Sequence, residues 1–383
     1  MGATDEPLRG NMRVLMVSTS YPQDLRDWRG LFIRHLADAV GRREDLRLRL
    51  WAPPGETHPS VEVDVLTEER QWLSRLMAAG GIAHLYRSAG LRGGAEVLRL
   101  LVYLRRLYRR SHDIDVFHVN WLQNALPMPH DRRPLLVSVL GTDLQLLKLP
   151  LMKAMLRRVF RGRPTAICPN ADWMLAPLRE AFGDIAEVRF VPFGIDPGWF
   201  AVDRGRRVRP HRWLAVTRLT AAKLGPLFDS CAPLFQSGER ELHLIGPMQE
   251  DIVVPQWVHY HGPLGPDVLR ETWFPQATGL ITLSRHAEGR PQVMLEAMAS
   301  ALPIVASDIA AHASFLRDGV TGMLVADGES PAEAIRVIED DVSNQRIGSA
   351  ARTWASKEVG TWDDCARRYA DIYRRLMDKG AQP

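Results

Sequence analysis

The residues with the clearest capacity for chemistry lie in one stretch, Ser284-Arg285-His286-Ala287-Glu288-Gly289-Arg290-Pro291-Gln292-Val293-Met294-Leu295-Glu296-Ala297-Met298-Ala299-Ser300. Glu288 and Glu296 stand eight positions apart, with a glycine, a proline and the first turn of a helical pattern between them. Proline suits the first helical position, because the N–H it lacks would find no helical carbonyl there. The amides of Gln292, Val293 and Met294 would then point out of the helix N-terminus. Such a terminus carries partial positive charge and binds phosphate. A carboxylate accepts two hydroxyls in a planar fork, which suits a diol. Glu288 at the rim and Glu296 inside the helix would grip hydroxyls on either side of that phosphate. This is the layout expected of a nucleotide-sugar site.

Cleaving a sugar–diphosphate bond puts negative charge on the leaving oxygen, and groups already in place stabilise it best. Arg218 and Lys223 follow the apolar run Trp213-Leu214-Ala215-Val216 and would supply that charge at a strand end. Metal chemistry has little support in the sequence. The three cysteines, Cys168, Cys231 and Cys365, are far apart and lack zinc spacing. Asp113-Ile114-Asp115 has the look of a metal pair but leads directly into an apolar run, so it reads as a strand start.

The elements that must position these residues alternate. Met12–Ser18, Leu46–Trp51, Asp115–Val119, Leu135–Val139, Ala166–Cys168 and Val188–Val191 read as strands, with helical stretches such as Leu31–Val40 between them. Pro192–Pro210 is rich in Pro, Gly and Arg and reads as a linker. The pattern then restarts with strands at Trp213–Val216, Leu242–Ile245, Gly279–Thr282 and Pro303–Ala306. Repeated strand–helix alternation predicts an α/β protein of two doubly wound, Rossmann-like domains. The predicted domains are 1–203, completed by 361–383, and 204–360. Ligands in such sheets bind beyond the carboxyl ends of the strands.

A chain of 383 residues supports two such cores, and 46% apolar with 25% charged residues excludes a disordered or membrane-embedded class. The first residues show no hydrophobic signal core, so the expected location is the cytoplasm. The net charge of +4 permits contact with phosphate or anionic lipid and selects neither. Val97–Arg110 carries Arg99, Arg105, Arg106, Arg109 and Arg110, with Val97, Leu101, Leu104 and Tyr108 on one helical face. It reads either as a basic amphipathic helix on the inner membrane face or as a helix packed on the sheet with a solvated Arg face.

The Glu-x7-Glu segment resembles the signature of retaining glycosyltransferase family 4, of the GT-B fold. Arg218-Leu219-Thr220-Ala221-Ala222-Lys223 is similar to its Arg-Leu-x-x-x-Lys segment, and Val191-Pro192-Phe193-Gly194-Ile195-Asp196 to the turn before its linker. Ala301–Asp308 and Asp318–Val325 resemble two further segments of the family, and Thr361-Trp362 the start of the helix that crosses back to the N-terminal domain. The resemblance implies two Rossmann-like domains facing across a cleft, and transfer of a hexose from a nucleoside-diphosphate sugar to a hydroxyl of a glycan or lipid-linked acceptor, without cofactor or metal. Surface polysaccharide synthesis is the expected setting, with no nucleic-acid partner.

The resemblance also implies residue roles. Glu288, Arg218 and Lys223 would be catalytic. Glu288 would meet the donor sugar and Glu296 the ribose. Gly289, Pro291, Gln292 and Val293 would frame the phosphate site, Leu264 would lie near the base, and the backbone at Gly30 would approach from the N-terminal domain. His118, Asn120 and Asp143 are the acceptor-side candidates. Here Asn120 stands where the family shows a second histidine and Leu140 where it shows another, so the proton exchange open to histidine is lost at both places. His118 reads equally as a core histidine. Another GT-B enzyme, such as a nucleotide-sugar epimerase or a disaccharide phosphorylase, and an inactive scaffold binding a partner glycosyltransferase are alternative readings of the same residues.

Overall fold

Parallel strands alternate with helices through the computed structural model, which describes residues 11–80, 90–205, 209–286 and 289–381. Contacts group the chain into two units. The first holds Met1–Asn170, Met174–Val191 and Cys365–Pro383, the second Ala171–Trp173 and Pro192–Asp364.

The first unit is built on seven strands: β1 (Met12–Val17), β2 (Leu46–Trp51), β3 (Val61–Val63), β4 (Val116–Asn120), β5 (Leu135–Val139), β6 (Thr165–Pro169) and β7 (Glu187–Val188), ordered β3-β2-β1-β4-β5-β6-β7. All neighbours run parallel, and the order reverses between β1 and β4, where Val14 faces Val116. Every residue of β4, β5 and β6 is buried. That follows from helices on both faces, which turn alternating strands into continuous apolar runs.

The second unit carries six strands: β8 (His211–Val216), β9 (Arg240–Ile245), β10 (Val258–Tyr260), β11 (Gly279–Thr282), β12 (Ile304–Ser307) and β13 (Met323–Val325), ordered β10-β9-β8-β11-β12-β13. Its two faces have separate cores. Leu214, Leu280 and Ile304 pack with Met294, Leu295 and Met298 on one side. Trp213, Ala215, Ile281 and Val305 pack with Leu242 and Leu244 on the other. Alternate residues of one strand thus serve opposite cores, as the two-residue period of a strand requires.

The structure departs from the sequence reading at the sheet edges. β3, β10 and β13 are three-residue strands that the sequence reading does not include: exposed side chains such as Glu62 and His259 interrupt the apolar pattern of the first two, and the third is short. β7 shrinks to Glu187–Val188, although Arg189 and Val191 still donate backbone bonds to Ile167 and Pro169. Residues 192–203, read as linker, pack with the second unit: the amide of Ile195 donates to Gly360 at 3.0 Å, and Trp199 is buried on Phe274. By contacts the division therefore falls after Val191 and after Asp364 rather than at 203 and 360.

The last helix, Trp362–Ala381, joins the first unit from Cys365 onward. Its anchor is His118 on β4. The ring Nδ1 lies 2.6 Å from the Tyr373 hydroxyl and Nε2 lies 2.8 Å from the Ser138 hydroxyl, itself 3.0 Å from the Tyr369 hydroxyl. All four side chains are fully buried. Both ring nitrogens are used inside the protein, so His118 is a core residue and not a contact for an acceptor.

Burial pushes the pKa of His118 down to about 3, whereas the unfolded chain takes up that proton near pH 6.5. Between those limits the unfolded state binds more protons. The contribution of neutral His118 is therefore complete above about pH 6.5 and is lost progressively as pH falls toward 3. His118→Phe is expected to cost about 1–3 kcal/mol at pH 7 through the orphaned hydroxyls. It is also expected to flatten the loss of stability between pH 6.5 and 4, as read by urea unfolding. Parallel pH profiles for variant and wild type would contradict the assignment.

Candidate functional site

The order of the second sheet reverses between β8 and β11, and the loops leaving the carboxyl ends of these strands are in contact. After β8 the chain continues the ladder through the Thr217 amide to Ile245 and the Leu219 amide to Pro247, both at 2.9 Å. Thr220 caps the short helix Ala221–Leu224, its hydroxyl accepting from the Lys223 amide at 3.3 Å. Two glycines make the loops fit. A β-carbon on Gly246 (φ +144°) would lie 1.7 Å from the Thr217 carbonyl oxygen, and one on Gly225 (φ +54°) 2.0 Å from that of Leu283. The Arg285 amide donates to Ala222 at 2.9 Å, and the Ser307 hydroxyl to Ser284 at 2.6 Å. Arg218 and Lys223 therefore sit on the loop and helix after β8, beside the segment that leads from β11 into the Glu-x7-Glu stretch. Arg218 is half-buried and reaches Gln249 at 3.4 Å.

The helix of that stretch runs Gln292–Ala299. Pro291 precedes it, at φ −62° and ψ 119°, one position earlier than the sequence reading placed it. The Pro291 carbonyl accepts from Met294 at 3.2 Å and from Leu295 at 3.4 Å, so the Met294 amide is consumed within the helix. The amides of Gln292 and Val293 donate to nothing among the described residues. An N-terminus with open amides is an anion site in waiting. The Gln292 side chain ties the cap to the Gly194 carbonyl at 2.8 Å, and the Gly289 carbonyl accepts from the Trp173 indole at 3.3 Å. Glu288 lies outside the described residues.

Glu296, one turn into this helix, is half-exposed as a residue, yet its carboxylate accepts no hydrogen bond among the described residues. Burial of the carboxyl group, and then the charge of Asp196, push its pKa up to about 8. Asp196 keeps its own partners, the Gly198 amide at 2.8 Å and Arg270 at 3.6 Å. A partly buried carboxyl group without donors among the described residues is set up to receive hydroxyls. Leu264, on the loop after β10, packs against the same core as Val293, and the Gly262 carbonyl of that loop accepts from the Gly246 amide at 2.9 Å.

Arg290 belongs to this site and was missed by the sequence reading. Its guanidinium is buried over the rings of Phe315 and Trp354, at 5.3 and 5.7 Å. Burial pushes its pKa down to about 10, against the opposing pull of Asp172. Its trace in the sequence is its place between Gly289 and Pro291, just before the helix cap.

The other candidates are structural. In the first unit, Asn120 is fully buried and donates to the Val17 carbonyl at 3.1 Å. Asp143 is buried and accepts from the amides of Leu140, Gly141 and Leu122 at 3.0–3.3 Å, while burial pushes its pKa up to about 6. Both organise the turns after β4 and β5, and the Asn120 side-chain oxygen is buried without a partner among the described residues. Gly30 (φ +73°) starts the helix Leu31–Gly41 pressed against Ser20, where a β-carbon would meet the Ser20 hydroxyl at 2.7 Å.

The basic helix Gly90–Arg110 buries Leu100, Leu104, Leu107 and Tyr108. Four of its arginines are engaged: Arg99 with Glu96, Arg106 with Glu68, Arg110 with Asp64 and Glu69, and Arg105 with the carbonyls of Pro127 and Met128. The helix packs through that apolar face, with Leu98 and Val102 left exposed. Asp113 pairs with Arg49 and Asp115 with Arg13, as a strand start rather than a metal pair. Among the described residues no cluster of three His, Cys, Asp or Glu could hold a metal ion, and no helix is long and apolar enough to cross a membrane.

The pKa of Glu296 has a consequence for stability. Its folded value, about 8, lies above the ordinary carboxyl range. The folded state therefore binds more protons than the unfolded chain between about pH 4.3 and 8, and ionised Glu296 destabilises the fold as pH rises through that window. Glu296→Gln is expected to raise stability by about 2 kcal/mol at pH 8.5 and to change it little near pH 4. Thermal melts at the two pH values check this; a destabilised variant at pH 8.5 would mean that the carboxylate has partners.

Residues 211–341 match the family model for Glycosyl transferases group 1. The D-inositol 3-phosphate glycosyltransferase of Streptomyces coelicolor is 33% identical over 120 residues, 30% of this chain and 25% of that one, so the match spans about a quarter of that relative. A GDP-mannose-dependent alpha-(1-6)-phosphatidylinositol monomannoside mannosyltransferase of Mycobacterium tuberculosis is 24% identical over 310 residues, 71% of this chain and 79% of that one. In structure, HepE of Anabaena, solved in complex with UDP, superposes with a TM-score of 0.68 over 95% of this chain and 100% of that one, at 16% identity. The motifs, the family match and the fold agree: residues 211–341 match the group 1 glycosyl transferases, in a chain with the GT-B fold.

Proposed function

We propose that the protein is a metal-independent, retaining glycosyltransferase that moves a hexose from a nucleoside-diphosphate sugar to a hydroxyl of a glycan or lipid-linked acceptor in surface polysaccharide synthesis. One observation carries the reading. The carboxyl group of Glu296, without a hydrogen-bond partner among the described residues, sits four residues into a helix whose first two amides donate to no described residue, beside the loops that bear Arg218 and Lys223. Diol acceptor and phosphate donor thus lie on one helical turn, as a nucleoside diphosphate requires. The UDP complex of HepE and the GDP-mannose dependence of the mannosyltransferase favour a nucleotide-sugar donor. The monomannoside acceptor named for the latter favours a lipid-linked one.

In the proposed reaction the bond from the anomeric carbon to the diphosphate oxygen breaks, and the acceptor oxygen bonds the same face. The acceptor proton passes to the departing diphosphate. Arg218, Lys223 and the amides of Gln292 and Val293 stabilise the negative charge that develops there, as preorganised donors do without reorganising. Glu296 holds the ribose hydroxyls and Glu288 the donor sugar. Neither is a nucleophile in this scheme, so retention follows from attack on the face the leaving group vacates.

UDP or GDP is expected to raise the melting temperature through mass action. Lys223→Ala should keep nucleotide binding and slow transfer by about 100-fold, whereas Glu296→Ala should weaken donor binding first. Lys223→Ala turning over at the wild-type rate would contradict the assignment. Chelator should leave the rate unchanged, and NMR of the first product should show the anomeric configuration of the donor.

A further inference from the structure

The first unit carries a basic and apolar patch that the proposed transfer does not use. Between Asp143 and Asp172 the chain has six Lys or Arg and no acid. Arg157 is held by Asp184, and Arg163 is buried near Asp131. Lys148, Lys153 and Arg158 remain exposed with no ion pair among the described residues. Among them stand three exposed apolar side chains, Leu149 (43%), Leu151 (76%) and Met155 (46%). Leu151 opens the helix Met152–Phe160 in the left-handed region, at φ +62° and ψ −13°. For a residue with a β-carbon that conformation is strained, and here it projects a large apolar side chain into solvent.

We infer that this patch, Lys148–Arg158, is the contact of the protein with an anionic lipid bilayer. Leu149, Leu151 and Met155 enter the headgroup–acyl boundary, and Lys148, Lys153 and Arg158 meet lipid phosphates around them. Exposed apolar side chains among cations on a short helix match an interfacial anchor in chemistry and charge. A solvated surface gains nothing from a strained, exposed leucine, and cations with no ion pair among the described residues fit a polyanionic partner. The inference stands apart from the proposed transfer, and its readout needs no substrate.

The test is flotation of the full chain with vesicles of phosphatidylcholine, with and without phosphatidylglycerol. Wild type should rise with the anionic vesicles and stay down with phosphatidylcholine alone. L149S/L151S/M155S and K148E/K153E/R158E should each lower the bound fraction about tenfold or more. L151S alone, at a site with little packing to lose, should lower it while leaving the melting temperature unchanged. R106E/R109E, on the helix Gly90–Arg110, should float as wild type does. Wild type left at the bottom of the gradient, or L151S floating fully, would overturn the assignment. So would a wild-type dimer that L149S/L151S/M155S splits into monomers, since the patch would then cover a second copy.

Discussion

The candidate site depends on backbone approaching backbone at the switch point of the second sheet. The Thr217 and Leu283 carbonyls occupy the places where β-carbons on Gly246 and Gly225 would stand. With any other residue there, the loops after β8, β9 and β11 would separate. Arg218 and Lys223 would then part from the segment that leads to the open cap of the helix Gln292–Ala299. The sheet supplies the strand ends and the glycines supply the closeness. The chemistry follows from what is left unpaired once the loops meet.

Two groups are left unpaired in a useful way. Among the described residues the amides of Gln292 and Val293 bond no carbonyl, and the partly buried Glu296 carboxylate has no donor. Each is a local cost to the fold. The raised pKa of Glu296 points the same way, and a bound diol would relieve the cost. Arg290 pays a similar desolvation cost on the other side of the cap, offset by the rings of Phe315 and Trp354. Sites of this kind trade stability for a preformed shape.

Much of this was legible in the sequence, for physical reasons. Strands such as Leu135–Val139 are buried on both faces and read as unbroken apolar runs, so the two α/β layers were visible. The Glu-x7-Glu stretch marked the helix cap because proline and glycine have few uses there. The edges were not legible, since β3, β10 and β13 are short and partly solvated. Pro291 lies one position before the expected helix start, because a residue in extended conformation ends a loop as readily as it starts a helix. His118, Asn120 and Asp143 kept their positions relative to the expected pattern, yet burial turned each into a support for its turn or core. Sequence spacing carries no sign of burial depth. The same limit hid Arg290, whose role depends on Phe315 and Trp354, far away in the chain.

The central claim is that a diphosphate rests on the cap of the helix Gln292–Ala299. A crystal structure with UDP or GDP bound tests it most directly. The account predicts phosphate oxygens within hydrogen-bond distance of the Gln292 or Val293 amide and of Lys223, with the ribose on Glu296. A nucleotide seated away from that cap, with Lys223 turned elsewhere, would contradict it.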